Sequence, residues 1–287
     1  MPEYPDFLSL DCKYSKPLRR FLRLNNVSFL QWRLPRASSF EMRRAAFIFT
    51  LALACTHTAS AQFNTELSPK ATAAFNDYQK TIESQFRWQP RYPQIQPGEV
   101  KVDPIKGDGS IVIKDGLVHD WIAATVVPGA TVDQVLKVLQ NYAAYKIIYT
   151  PDVTDSRAIS HNGNQWHMYL QMVKKKVFTV VLNGEFDVEY RDLGSGRWAV
   201  LSRSTRLAQV EGDHELPVGT GLGFVWRLNA YWLIEPRPNG VYMECRSLSL
   251  SRDIPFGLNF AVKPFVTGVP PESLRQTLLA TAQALRK

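Results

Sequence analysis

The chain has 287 residues, 45% of them hydrophobic, and a formal net charge of +8. Nine of its 34 basic residues and four of its 26 acidic ones lie in the first 61 positions, which leaves 25 against 22 beyond them. A basic groove for nucleic acid would have to survive in that remainder, so the balance excludes nucleic acid as a partner.

Residues 1–41 scatter Pro, Arg and Ser with no sustained period, and Met42 is an initiator candidate, so this leader reads as an upstream misassignment of the start. Residues 42–61 follow the three-part pattern of a secretory signal peptide: basic Arg43 and Arg44, an apolar run from Ala45 to Ala54, and Ala59-Ser60-Ala61 before Gln62. That run is shorter than the ~20 residues a membrane span needs. The expected location is therefore exported, periplasmic or secreted, with lipidation at Cys55 as the lesser alternative. Beyond the signal only Cys245 remains, which excludes an internal disulfide in the mature chain.

Residues 62–109 are predicted to hold one helix and an extended segment. Ser68 is a cap, Pro69 sits in the first turn, and Ala71, Ala74, Phe75, Tyr78, Ile82 and Phe86 recur at helical spacing. "WQPRYPQIQPGEVKVDP" then carries too many prolines for regular structure and is expected to wrap the domain.

Residues 110–287 are predicted to form a single α+β domain. "GLVHDWIAATVVPGATVDQVLKVLQNYAAY" reads as a strand, a turn and a helix whose Thr131 and Gln134 make a capping box. About a hundred residues of strand signal follow, broken by hairpin turns at His161-Asn162-Gly163-Asn164, Gly194-Ser195-Gly196 and Pro238-Asn239-Gly240. Alternation puts Trp166, Met168, Leu170 and Met172 on one face, with Phe178, Val180, Leu182, Phe186 and Val188. The series Leu222, Phe224, Trp226, Leu228, Ala230, Trp232, Ile234 joins them. Arg203, Arg227, Asn229, Glu235, Glu244 and Arg246 are expected on the opposite, solvated face. The last helix, opened by Pro270 and Pro271, presents Leu274, Leu278, Ala282 and Leu285 as a cover for the apolar floor.

Strand, capped helix, hairpin-linked antiparallel strands and a final amphipathic helix occur here in the order of the START-like or SRPBCC superfamily. The resemblance spans about residues 110–287 and rests on "WIAATVVPGATVDQVLKVLQNYAAY", "YTPDV" and "DIPFGLNFAVKPFVTGVPPESLRQTLLATAQAL". It is most similar to the polyketide cyclase or coenzyme Q-binding-like branch. That resemblance implies a helix-grip fold, an antiparallel sheet wrapped on a long C-terminal helix with an apolar cavity between them. The chain departs from the pattern before Pro151, where Ile147, Ile148, Tyr149 and Thr150 stand in place of a single aromatic.

The candidate ligand-binding residues are Met168, Leu170, Met172, Phe178, Val180, Leu182, Trp198, Ser202, Phe224, Trp226, Leu228, Trp232, Met243, Ser247, Phe256 and Phe260. Aromatic and methionine side chains suit adaptable apolar pockets, and the two serines would meet a polar headgroup. The expected ligand is a hydrophobic small molecule: a lipid, isoprenoid quinone or polyketide-like compound. Close-packed core is the competing reading of the same residues. Transient membrane contact is suggested by the apolar stretch Ile254 to Val269, which plain packing over the sheet end explains equally well, and by Lys174-Lys175-Lys176, for which a solvated turn is the better reading because three charges fall below the usual cluster size.

No catalytic residue, cofactor or metal is expected. His119, His161, His167 and His214 lack metal-ligand spacing, "EGDHE" at 211–215 reads as a solvated loop, and no G-x-S-x-G elbow occurs. Gly219, Gly221 and Gly223 lead into a strand and are expected to form a bend. An enzyme of the same fold, a cyclase or hydrolase, would need a positioned acid or base among the inward residues. An envelope interaction module with a filled core is the third reading.

Overall fold

Ser68 starts the first helix, accepting a hydrogen bond from the Ala71 N–H at 3.0 Å, and Pro69 occupies the first turn where its missing N–H costs nothing. The computed structural model of the chain describes residues 65–176, 179–254 and 263–286. The expected leader and signal segments, and Phe178, Phe256 and Phe260 among the candidate site residues, lie outside the described residues. In chain order the elements are β1 (Thr65–Glu66), α1 (Pro69–Ser84), β2 (Val100–Pro104), β3 (Ser110–Ile113) and β4 (Gly116–Pro128). Then come α2 (Val132–Gln140), a 3-10 turn (Tyr142–Ala144), α3 (Tyr145–Ile148), β5 (Val153–Asn162) and β6 (Gln165–Lys175). After these follow β7 (Thr179–Gly194), β8 (Arg197–Glu211), β9 (His214–Glu215), β10 (Thr220–Gly221), β11 (Arg227–Arg237) and β12 (Gly240–Ser251). A π turn (Pro264–Gly268) leads into α4 (Val269–Ala284).

One antiparallel sheet runs in the order β2-β4-β12-β11-β8-β7-β6-β5, with β3 also on β4 and β9 also on β8. The predicted hairpin turns join β5 to β6, β7 to β8 and β11 to β12. Gly194 and Gly196 adopt positive φ in the second of these, a conformation in which a Cβ would be strained. At α2 the Thr131 hydroxyl accepts from the Gln134 N–H while the Gln134 side chain accepts from the Thr131 N–H, which completes the capping box. The architecture is the α+β helix-grip arrangement, with α4 lying against β4, β2 and β12.

The helix face of the sheet and α4 share one apolar core. Ala123, Trp232, Ile234, Met243 and Cys245 pack there with Leu274, Leu278 and Ala282, all buried. Four tyrosines fill the end of this core beneath α2 and α3. The Tyr142 and Tyr190 hydroxyls lie 2.9 Å apart, Tyr145 Oη donates to the Leu139 carbonyl, and Tyr149 Oη meets Thr281 Oγ1 at 3.0 Å. Tyr149 thus supplies an aromatic close before Pro151 and ties α3 to α4.

The back face differs from the sequence expectation. Arg203, Asn229, Glu244 and Arg246 do point that way, but α1 and the proline-rich stretch cover them. Ala71, Phe75 and Ile82 of α1 pack on Val118, Leu201, Tyr231, Leu248 and Leu250, while Ile95 packs on Ala124, Val126, Leu233 and Tyr242. Asp120, Asn229 and Glu244 are buried in consequence. Each buried carboxylate is matched: Arg246 makes a two-point contact with Asp120 at 2.8 and 2.6 Å, Tyr78 donates to Asp120 at 2.8 Å, and the Arg91 N–H donates to Glu244 at 2.8 Å.

Candidate functional site

The expected lining residues separate into three groups. On the helix face stand Met168, Leu170, Met172, Trp198, Leu228, Trp232 and Met243, all in or against the shared core. Met243 is fully buried and Trp232 nearly so, which makes both of them packed core in this structure. At the end of the sheet beside the π turn, Val180, Leu182 and Phe224 cluster with Leu117, Ile254, Val266 and Val269. The described ends of the Ile254 to Val269 stretch therefore pack over the sheet end.

Trp226 is the exception and corrects the expected alternation. It packs with α1 on the back face, beside Ala71 and Phe75. The reason lies in Gly221 and Gly223, whose φ values of +106° and +68° break the chain direction just before β11 begins at Arg227. A Cβ on Gly223 would fall 2.8 Å from the Trp226 ring, so glycine there also makes room for the indole.

The two candidate serines are brought together. Trp121, Ser247, Ala230, Ser202 and Val188 are successive register partners across β4, β12, β11, β8 and β7, so their side chains share one row of the helix face. The smallest side chains, Ser247, Ala230 and Ser202, occupy its centre. Trp121, Leu228, Ala230 and Ser247 are only half-buried, whereas the neighbouring row of Ala123, Cys245, Trp232 and Val200 is sealed. The Trp121 indole N–H is buried without a hydrogen-bond partner. Sequence reasoning missed Trp121 and Ala230 as candidates, although the alternation through Leu117, His119, Trp121 and Ala123 places Trp121 on this face.

His119 also lies on this face, and it was not anticipated there. Its Nε2 lies 2.8 Å from Ser251 Oγ and its Nδ1 3.3 Å from Ser110 Oγ. Ser251 gives its one hydroxyl proton to the Arg252 carbonyl at 3.0 Å. Nε2 must then donate to Ser251, and Nδ1 must accept from Ser110. A base for Ser251 would need a free lone pair on Nε2, so this arrangement anchors the end of β12 and does not activate a nucleophile. Burial pushes the His119 pKa down to about 4, which keeps the ring neutral.

Two of the three hairpin lysines are engaged within the protein. Lys174 pairs with Asp152 ahead of β5, and Lys176 pairs with Glu272 in the first turn of α4 at 2.6 Å. These contacts tie the β6–β7 hairpin to two elements at the same end of the sheet. On the uncovered part of the back face, His167 sits between Asp187 at 2.8 Å and Glu185 at 3.1 Å. Among the described residues no group of three or more His, Cys, Asp and Glu is placed to hold a metal ion, and no helix is long and apolar enough to cross a membrane.

No family model matches the chain, and no curated protein sequence matches it. Among solved structures it is similar to a STAR-related lipid transfer protein fragment from Xanthomonas axonopodis, at 20% identity over 66% of this chain and 99% of that one, with a TM-score of 0.46. It is also similar to the Zhui aromatase/cyclase from Streptomyces sp. R1128, at 11% identity over 59% and 94% of the two chains, TM-score 0.44. Human StAR-related lipid transfer protein 5 shares 12% identity over 75% and 96%, TM-score 0.44. In architecture the chain is START-like, a description that rests on its own strand order and on α4 lying across β2, β4 and β12.

Proposed function

We propose that this protein binds a hydrophobic small molecule, of lipid, isoprenoid quinone or polyketide-like chemistry, between the helix face of the sheet and α4. The observation that carries the reading is the row Ser247, Ala230, Ser202: three small side chains side by side in a face otherwise built from large apolar groups, with Ala230 and Ser247 only half-buried. Burial of the ligand's apolar area supplies about 25 cal/mol per Å². Ser202 and Ser247 give a headgroup two polar partners. No bond need be made or broken, and the proton arrangement around His119 favours carriage over hydrolysis.

The signal pattern at residues 42–61 supports a site of action outside the cytoplasm, where the ligand would be exchanged with a membrane at the β6–β7 hairpin end. The test is extraction and mass spectrometry of the mature chain purified from its native envelope. A hydrophobic compound at about one per chain is the expected result. A folded protein that carries no such compound, and takes up none from lipid extract, would leave the filled-core interaction module as the better reading.

A further inference from the structure

We propose a second binding site on the opposite side of the sheet: the cleft between the first turns of α1 and the loop carrying Val218 and Gly219 binds an amphiphilic organic carboxylate, anchored by Arg227. The cleft has a volume of about 410 Å³ and is shallow and broadly open to solvent. Its walls include Leu67, Pro69, Ala73 and Val218, the last 50% exposed, and Arg227 lies among them.

The case rests on how the other back-face arginines are used. Arg203 is paired with Glu83, Arg246 with Asp120, and Arg197 with Glu235. Half-buried Arg227 has no carboxylate within ion-pair reach among the described residues. Its one hydrogen bond runs from Nη1 to the Trp226 carbonyl, at 3.0 Å. A guanidinium has five N–H donors in a planar fork, and most of this one's have no partner among the described residues and remain open to solvent. Burial pulls its pKa down, and no carboxylate is close enough to pair with it and raise it again. A charge so placed is best satisfied by a planar anion that accepts two N–H bonds at once.

The surroundings narrow the class of anion. Glu66 lies on the rim of the same cleft, and its charge opposes a doubly charged phosphate more than a monocarboxylate. Leu67, Pro69, Ala73 and Val218 offer apolar contact to a short hydrocarbon body lying along the open cleft. The leading end of α1 adds little, because Ser68 already caps it. This site is independent of the space between sheet and α4, and either could exist without the other.

The experiment is a titration of the full chain with hexanoate, followed by two-dimensional amide NMR, with hexylamine and inorganic phosphate as parallel arms. Saturable shifts are expected at the amides of Ala73, Asn76 and Gly219 with hexanoate and at none of them with hexylamine or phosphate. Arg227→Gln should weaken binding at least about tenfold, Arg227→Lys should fall between, and Glu66→Gln should strengthen it. The same shifts are expected in an Ala230→Phe background, which alters only the helix face. Equal affinity in Arg227→Gln, equal shifts with phosphate, or hexanoate shifts confined to residues such as Ala230 and Ser247 would each overturn the assignment. Should Arg227→Gln fail to fold, the order of affinities of wild type, Arg227→Lys and Glu66→Gln decides it.

Discussion

Glu83 in α1 and Arg203 in β8 form a two-point ion pair, Nε to Oε1 at 2.9 Å and Nη2 to Oε2 at 3.1 Å, that fastens the N-terminal helix to the back of the sheet. Tyr231 adds a third contact, its hydroxyl donating to Glu83 Oε1 at 2.7 Å. Burial alone would raise the Glu83 pKa, but the hydrogen bonds from Arg203 and Tyr231 outweigh it and hold the carboxyl below its ordinary range. Glu83→Ala leaves Arg203 and the Tyr231 hydroxyl without their acceptor beneath α1. The expected loss is about 2 kcal/mol in urea unfolding, with faster amide exchange in α1 than in β4. Because the folded-state pKa is depressed, this contribution is present above the unfolded carboxyl pKa and is lost as pH falls through the folded one. Unchanged stability in Glu83→Ala would mean that α1 is held by the packing of Ala71, Phe75 and Ile82 and by the Tyr78–Asp120 hydrogen bond.

His119 gives a pH dependence in a different window. Its folded pKa of about 4 lies below the ordinary 6.5, so between these values the unfolded chain binds a proton that the folded chain refuses. Stability should therefore fall as pH drops from about 6.5 towards 4, by of order 3 kcal/mol in total. His119→Gln removes the titration and should flatten urea unfolding free energy across that window, even if its value at pH 7 is lower. An equally steep slope in the variant would assign the acid sensitivity elsewhere.

His167 has the opposite sign. Burial would lower its pKa, but both ring nitrogens face carboxylates, and Asp187 and Glu185 together raise it. Two acceptor-only partners can both be satisfied only by the imidazolium. Its stabilising effect is full below the ordinary histidine pKa and disappears as pH rises through the raised value. Side-chain NMR should show His167 titrating above the ordinary histidine value and His119 well below it. A His167 that titrates at or below the ordinary value would mean that one of the two contacts is not held in solution.

Much of the architecture could be read from local pattern, because period-two alternation and helix caps are encoded within a few residues. Thr131 with Gln134, and the run from Met168 to Met172, are of this kind. What escaped depended on distance in the chain. Arg203 and Arg246 read as solvated charges because their partners Glu83 and Asp120 are 120 and 126 residues away. Trp226 was misplaced because alternation was carried through the irregular segment that holds Gly221 and Gly223, although regular pairing begins only with β11 at Arg227; from Leu228 onward the expected facing holds. His119 looked like an isolated histidine because Ser251, its closest partner, is 132 residues later.

Ala230 and Trp226 separate ligand binding from folding more sharply than any other pair. Ala230 sits between Ser202 and Ser247 in the half-open row, so Ala230→Phe should fill the space and reduce bound hydrophobic ligand at least about tenfold, with stability changed by no more than about 1–3 kcal/mol. Trp226 packs against α1, so Trp226→Ala should cost about 3–5 kcal/mol yet leave the ligand content of the folded fraction unchanged. Mass spectrometry of the extracted ligand and urea unfolding on the same preparations give both readings. Ligand lost in Trp226→Ala and retained in Ala230→Phe would place the binding space on the back of the sheet, beneath α1, and reject the site between sheet and α4.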